Sequence, residues 1–81
     1  MKLNIRSADD MALVRTRLGL TQKEVASKMF LTKHQASDIE RGATRPNGAS
    51  TILYGIVLEE ICKERGTTFD NVLHSHKLQA I

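Results

Sequence analysis

Three times in the first half of the chain the same helix-starting pattern occurs: Ser7 is followed three residues later by Asp10, Thr21 by Glu24, and Thr32 by Gln35. In each, the hydroxyl oxygen can accept the backbone N–H three residues on, and the side chain at that position can reach back to the cap's own N–H. Asp10 is shorter than the usual Glu or Gln. Two starts are reinforced by apolar pairs at the hydrophobic-staple spacing, Leu20 with Val25 and Leu31 with Ala36. Helices are therefore expected to begin near residues 8, 22 and 33.

Apolar periodicity agrees with these starts. Met11, Val14 and Leu18 form one stripe, Val25, Ala26 and Met29 a second, and Ala36 with Ile39 a third, all at helical spacing. Gly19 and Gly42 follow the first and third helices, where a left-handed residue closes a helix most easily. After a loop over residues 42–47 with Pro46 as breaker, Ile52, Leu53, Ile56, Val57, Ile61 and Cys62 predict a fourth helix ending near Gly66, with Cys62 in the core. A short fifth helix would start at Thr67 or Thr68 and carry Phe69, Val72 and Leu73. Leu3 and Ile5 at one end, and Leu78 and Ile81 at the other, are left to pair, dock or fray.

Aromatic residues are scarce, limited to Phe30, Tyr54 and Phe69, so the packing must come from aliphatic residues on helices rather than from a β-sandwich. With 81 residues the chain has room for one domain. Such a domain buries roughly 60 to 65% of its unfolded surface, so its core must be efficient or completed by a second copy, and little room is left for a deep catalytic cleft. A single cysteine, Cys62, makes no intrachain disulfide, and residues 1–10 lack the apolar stretch of a secretory signal, which points to a cytoplasmic protein. The longest apolar run, residues 52–58, is far shorter than the roughly 20 residues a bilayer requires, so no membrane role is expected. Positive charge concentrates in the centre: residues 15–45 hold Arg15, Arg17, Lys23, Lys28, Lys33, Arg41 and Arg45 against Glu24, Asp38 and Glu40. Such a block suits either a polyanion partner or a solvated helical face.

Two helices of about eight residues joined by a short turn at residues 29–31 have the dimensions of a helix-turn-helix unit. Ala26 supplies the small residue where the two would cross, and Val25, Ala36 and Ile39 can fill the space beneath. The run LGLTQKEVA over residues 18–26, followed by LTKHQASDIERG over residues 31–42, resembles the Cro and lambda-repressor-type (xenobiotic-response-element-like) helix-turn-helix family. Thr21, Gln22, Ala26 and residues 39–42 are the most specific marks, and the likeness extends from about residue 10 to 58. The resemblance implies an all-α, compact four- to five-helix bundle whose motif, at about residues 21–41, binds double-stranded operator DNA as a twofold dimer.

Carried over position by position, Lys33, His34, Ser37 and Asp38 are expected to face base edges. Gln22 is expected at a phosphate, with Thr21, Lys23 and Thr32 beside it, and Arg41, Arg45 and Asn47 where the following loop approaches the DNA backbone. Arg15 and Glu40 match an internal ion pair found in several members. Elementary chemistry supports the carry-over. Residues 33, 34, 37 and 38 share the helix face opposite Ala36 and Ile39. Lys33 can donate to guanine and Asp38 can accept from cytosine N4; alternatively, Asp38 restrains Lys33 or His34, or excludes other sequences.

Two departures stand out. The family usually has Gly at the position of Phe30, so either the turn is altered or packing offsets a left-handed Phe. The fourth helix also extends beyond the family's usual end, so the dimer surface is sought afresh within residues 52–73.

The expected function is a dimeric repressor of phage, prophage or mobile-element type that binds a palindromic operator. The rival is an antitoxin-type autorepressor whose helices over residues 48–75 hold a protein partner, a toxin or antirepressor. No enzyme, cofactor or metal is expected: there is no phosphate-cradling loop or nucleophile elbow, and His74 with His76 is the sole metal-like spacing.

Overall fold

The computed structural model describes residues 6–43 and 48–75. Within them the chain forms five helices: α1 (Ala8–Arg17), α2 (Gln22–Lys28), α3 (Lys33–Glu40), α4 (Ala49–Glu64) and α5 (Phe69–His74). No strand occurs among the described residues, so the fold is all-α. Leu3, Ile5, Arg45, Pro46, Asn47, His76, Leu78 and Ile81 lie outside the described residues.

The helix starts follow from the caps. Thr21 and Thr32 form complete capping boxes: each hydroxyl accepts from the N–H of Glu24 or Gln35 at 3.1 and 3.2 Å, and each partner side chain accepts the cap's own N–H at 2.8 Å. Ser7 accepts from the Asp10 N–H at 3.1 Å, and Thr68 accepts from the Asn71 N–H at 3.1 Å to start α5.

Met11 and Val14 of α1, Val25 and Ala26 of α2, Ala36 and Ile39 of α3, Tyr54, Leu58, Ile61 and Cys62 of α4, and Phe69 of α5 meet in one core. Each large side chain so buried contributes about 1.5–3 kcal/mol. Leu20 and Leu31, the two staple residues, pack against that core. Burial pushes the Cys62 thiol up, in keeping with an unreactive core position.

Helix α4 corrects the sequence reading. Ile61 and Cys62 are buried as expected, but Leu53 and Ile56 face outward, 44% and 42% exposed, and Ile52 and Val57 are half-buried. The inward face is instead Thr51, Tyr54, Gly55, Leu58, Ile61 and Cys62. The first half of α4 is apolar nearly all round, so periodicity does not select a side. Polar demands within the fold do: the Tyr54 hydroxyl donates to the Glu40 carboxylate, and Gly55 leaves space for Arg6.

Arginines stitch the helix ends together. The Arg6 guanidinium lies 4.2 Å from the centre of the Phe69 ring while bonding Glu59 at 2.9 Å and Asp70 at 3.0 Å, which links the start of the described chain to α4 and α5. Arg17 donates to the Val72 and Leu73 carbonyls at the end of α5, and Arg65 to the Leu18 carbonyl after α1 at 2.6 Å. The Leu73 and Leu18 carbonyls are among those a helix end leaves without an intrahelical donor, whereas the Val72 carbonyl also accepts the Ser75 N–H at 3.2 Å and the Ser75 hydroxyl at 2.8 Å; at these ends the guanidinium charges oppose the helix dipole.

Four described residues have positive φ. Gly19, Gly42 and Gly66 close α1, α3 and α4 at φ 72–76°, and Phe30, at φ 57°, lies in the turn between α2 and α3. The turn thus keeps the left-handed geometry, which costs a non-glycine residue about 1–2 kcal/mol. Packing does not offset that strain, because Phe30 is 98% exposed.

Candidate nucleic-acid interface

Helix α3 presents two faces. Ala36 and Ile39 are buried, and on the other side Lys33 and His34 are exposed while Ser37 and Asp38 are half-buried. The four residues expected at base edges therefore lie together on the accessible side, as helical spacing requires. Their orientation is held by Ala36 and Ile39 in the core and by the Thr32 cap.

Beside the start of α3 lies an open concavity of about 620 Å³ lined by Arg15, Leu20, Thr21, Gln22, Lys23 and Lys33. Three of these carry positive charge and none is a carboxylate. Lys33 belongs to both the concavity and the α3 face, so the two form one continuous surface. Thr32 is exposed next to it. At the rim, Glu24 reaches back to the Thr21 N–H, and that backbone bond holds its carboxyl below the usual range.

Beneath this surface Glu40 forms a buried hub, its side chain 5% exposed. Arg15 donates from Nε at 2.6 Å and from Nη2 at 3.1 Å, Gln22 donates from Nε2 at 3.1 Å, and the Tyr54 hydroxyl adds a further bond. Burial pushes the Glu40 carboxyl up, but the bonds from Arg15, Tyr54 and Gln22 together outweigh it and hold the pKa below the ordinary value. The same pair raises the Arg15 pKa, and burial with the neighbouring carboxylate raises that of Tyr54. Arg15 also donates to the Leu20 carbonyl at 2.6 Å, so α1, the start of α2, the end of α3 and α4 converge on one carboxylate.

Several expected roles change in detail. Asp38 pairs with Arg41, one turn away, rather than with Lys33 or His34. The two side chains are 46% and 67% exposed, so the pair contributes little to stability and either partner can exchange to a ligand. Gln22, expected at a phosphate, spends one amide hydrogen on Glu40. Arg15, Arg17 and Arg41, counted in the central basic block, all have internal partners, whereas Lys23, Lys28 and Lys33 are exposed. Arg45 and Asn47 lie outside the described residues. Tyr54 escaped the sequence reading; its signal was a lone phenol inside an apolar helix, whose hydroxyl needs a buried partner.

Among the described residues no group of three His, Cys, Asp or Glu side chains converges to hold a metal, and no helix is long and apolar enough to cross a membrane. In comparisons with known proteins, no family model, no curated protein and no solved structure matches the chain.

Proposed function

We propose that the chain is a sequence-specific regulator that binds double-stranded DNA through a helix-turn-helix of the Cro and lambda-repressor type, formed by α2 and α3. The observation that carries this reading is the continuity of the polar α3 face with the concavity that the exposed Lys23 and Lys33 make basic, joined at Lys33. A duplex presents the complementary pair of features: base edges in the major groove and phosphates along its margin. Lys33, His34, Ser37 and Asp38 read bases, while Thr21, Gln22, Lys23 and Thr32 approach phosphates. Arg41 joins them by exchanging its Asp38 bond for one to a phosphate.

The regulator acts as a homodimer through the outward face of α4. Leu53 and Ile56 are exposed on that face, 44% and 42%, and supply the apolar patch on which a second copy pairs about a twofold axis. The two α3 helices would then read half-sites about 34–36 Å apart, one helical turn, and occupancy of a promoter would repress it.

Selection of bound duplexes from a randomised pool, with the purified protein at moderate salt, tests this reading. Enrichment of a palindrome with constant half-site spacing is expected. Salt-sensitive background binding with no enriched sequence would reject it.

A further inference from the structure

Phe30 combines three properties that call for a common cause. It is the sole non-glycine residue among the four left-handed positions described, at places where the chain otherwise uses Gly. Its ring is 98% exposed, the most exposed of the large apolar side chains among the described residues. It is also firmly mounted: Met29 is buried in the core on one side, Leu31 packs against the core on the other, and the Leu31 N–H donates to the Ala26 carbonyl at 2.9 Å. A strained turn that displays an aromatic ring on a fixed support is offset by no packing among the described residues, so the compensation lies in a ligand.

The position identifies the ligand's chemistry. Three chain steps from Lys33 place the Phe30 Cα no more than about 11 Å from the Cα of the first residue of α3. Lys28, Lys33 and His34 flank it in sequence, and residues 25–37 contain no carboxylate. The ligand is therefore anionic and meets the surface that already includes the start of α3. On the major-groove edges of a duplex the one apolar group is the thymine 5-methyl.

We infer that Phe30 is a base-contacting residue whose ring covers a thymine methyl at the edge of the half-site, beside the bases that face Lys33 and His34. The inference rests on the DNA-binding reading above. It assigns to the turn a specificity that glycine at the same position has no atoms to provide.

The experiment uses the full chain, wild type and Phe30→Gly, on the duplex selected by the wild type, with each thymine replaced in turn by deoxyuridine. At one outer thymine per half-site, loss of the methyl should weaken wild-type binding about fourfold, the worth of one buried carbon. Phe30→Gly should bind the thymine and deoxyuridine forms equally, both more weakly than wild type binds thymine, while melting at a higher temperature because glycine relieves the turn. Phe30→Leu, which keeps an apolar side chain, should retain part of the thymine preference. Equal wild-type binding to every deoxyuridine duplex, or undiminished binding by Phe30→Gly, overturns the inference and leaves the ring to a protein contact. If the wild type selects no sequence at all, the DNA-binding reading fails and this assignment fails with it.

Discussion

Replacing Arg15 with Met tests the hub directly. The guanidinium supplies two of the four bonds to Glu40, at 2.6 and 3.1 Å, and a third to the Leu20 carbonyl at 2.6 Å. Without it, Gln22 and Tyr54 still donate to the carboxylate, but the charge, on a side chain 5% exposed, has no counter-ion. Removing one member of a buried pair costs about 3–5 kcal/mol, against a total stability of about 4–12 kcal/mol for a chain of this length. At about 4–8 °C per kcal/mol, the melting temperature should fall by at least about 12 °C, with a matching drop in the urea midpoint at pH 7. Combining Arg15→Met with Glu40→Leu and Tyr54→Phe removes the stranded charge and its remaining buried donor together, and should recover most of the loss. A cost below about 1 kcal/mol for Arg15→Met alone, or a triple variant no better than the single one, would refute the claim that Glu40 is a desolvated charge held by Arg15.

Acid should act on the same group. Because the folded Glu40 pKa is lowered, its contribution is fully present above the unfolded carboxyl value of about 4.3 and is lost as pH falls through the folded value. Chemical denaturation at a series of pH values should therefore show wild type losing stability below about pH 4.3 more steeply than Glu40→Gln. Tyr54→Phe, which leaves Glu40 its three other bonds, should cost about 1–2 kcal/mol by thermal melting. Asp38→Asn should release Arg41, tighten binding to all duplexes and weaken discrimination at one base position, read by repeating the duplex selection; uniform loss of binding would contradict the exchange of Arg41. Leu53→Asp with Ile56→Asp should convert the proposed dimer to a monomer by sedimentation and lower the melting temperature only by the lost dimer linkage, removing its dependence on protein concentration, since both side chains face outward.

The legible parts of this chain were those decided within a few residues. Thr21 with Glu24 and Thr32 with Gln35 close their capping boxes over three residues, so the starts of α2 and α3 needed no tertiary information. The polar face of α3 followed from the same local register, because once the helix begins at Lys33 the sides occupied by His34 and Ile39 are set by the helical repeat.

The face that α4 buries, the residues that complete the hub and the partners of the arginines depended on contacts distant in sequence. Leu53 and Tyr54 are adjacent and both suit a core, yet the phenol is buried because its hydroxyl finds Glu40, 14 residues away. Arg17 and Arg65 look like surface charge until the ends of α5 and α1 bring the Leu73 and Leu18 carbonyls to them. Phe30 combines both levels: local geometry makes its turn left-handed, and only the tertiary structure shows that among the described residues no side chain covers it. Sequence by itself determined where α1, α2 and α3 begin, since capping and periodicity are short-range, whereas α4 starts after Gly48 with no side-chain cap. Tertiary structure decided which surfaces remain open to a ligand, since burial depends on every element at once.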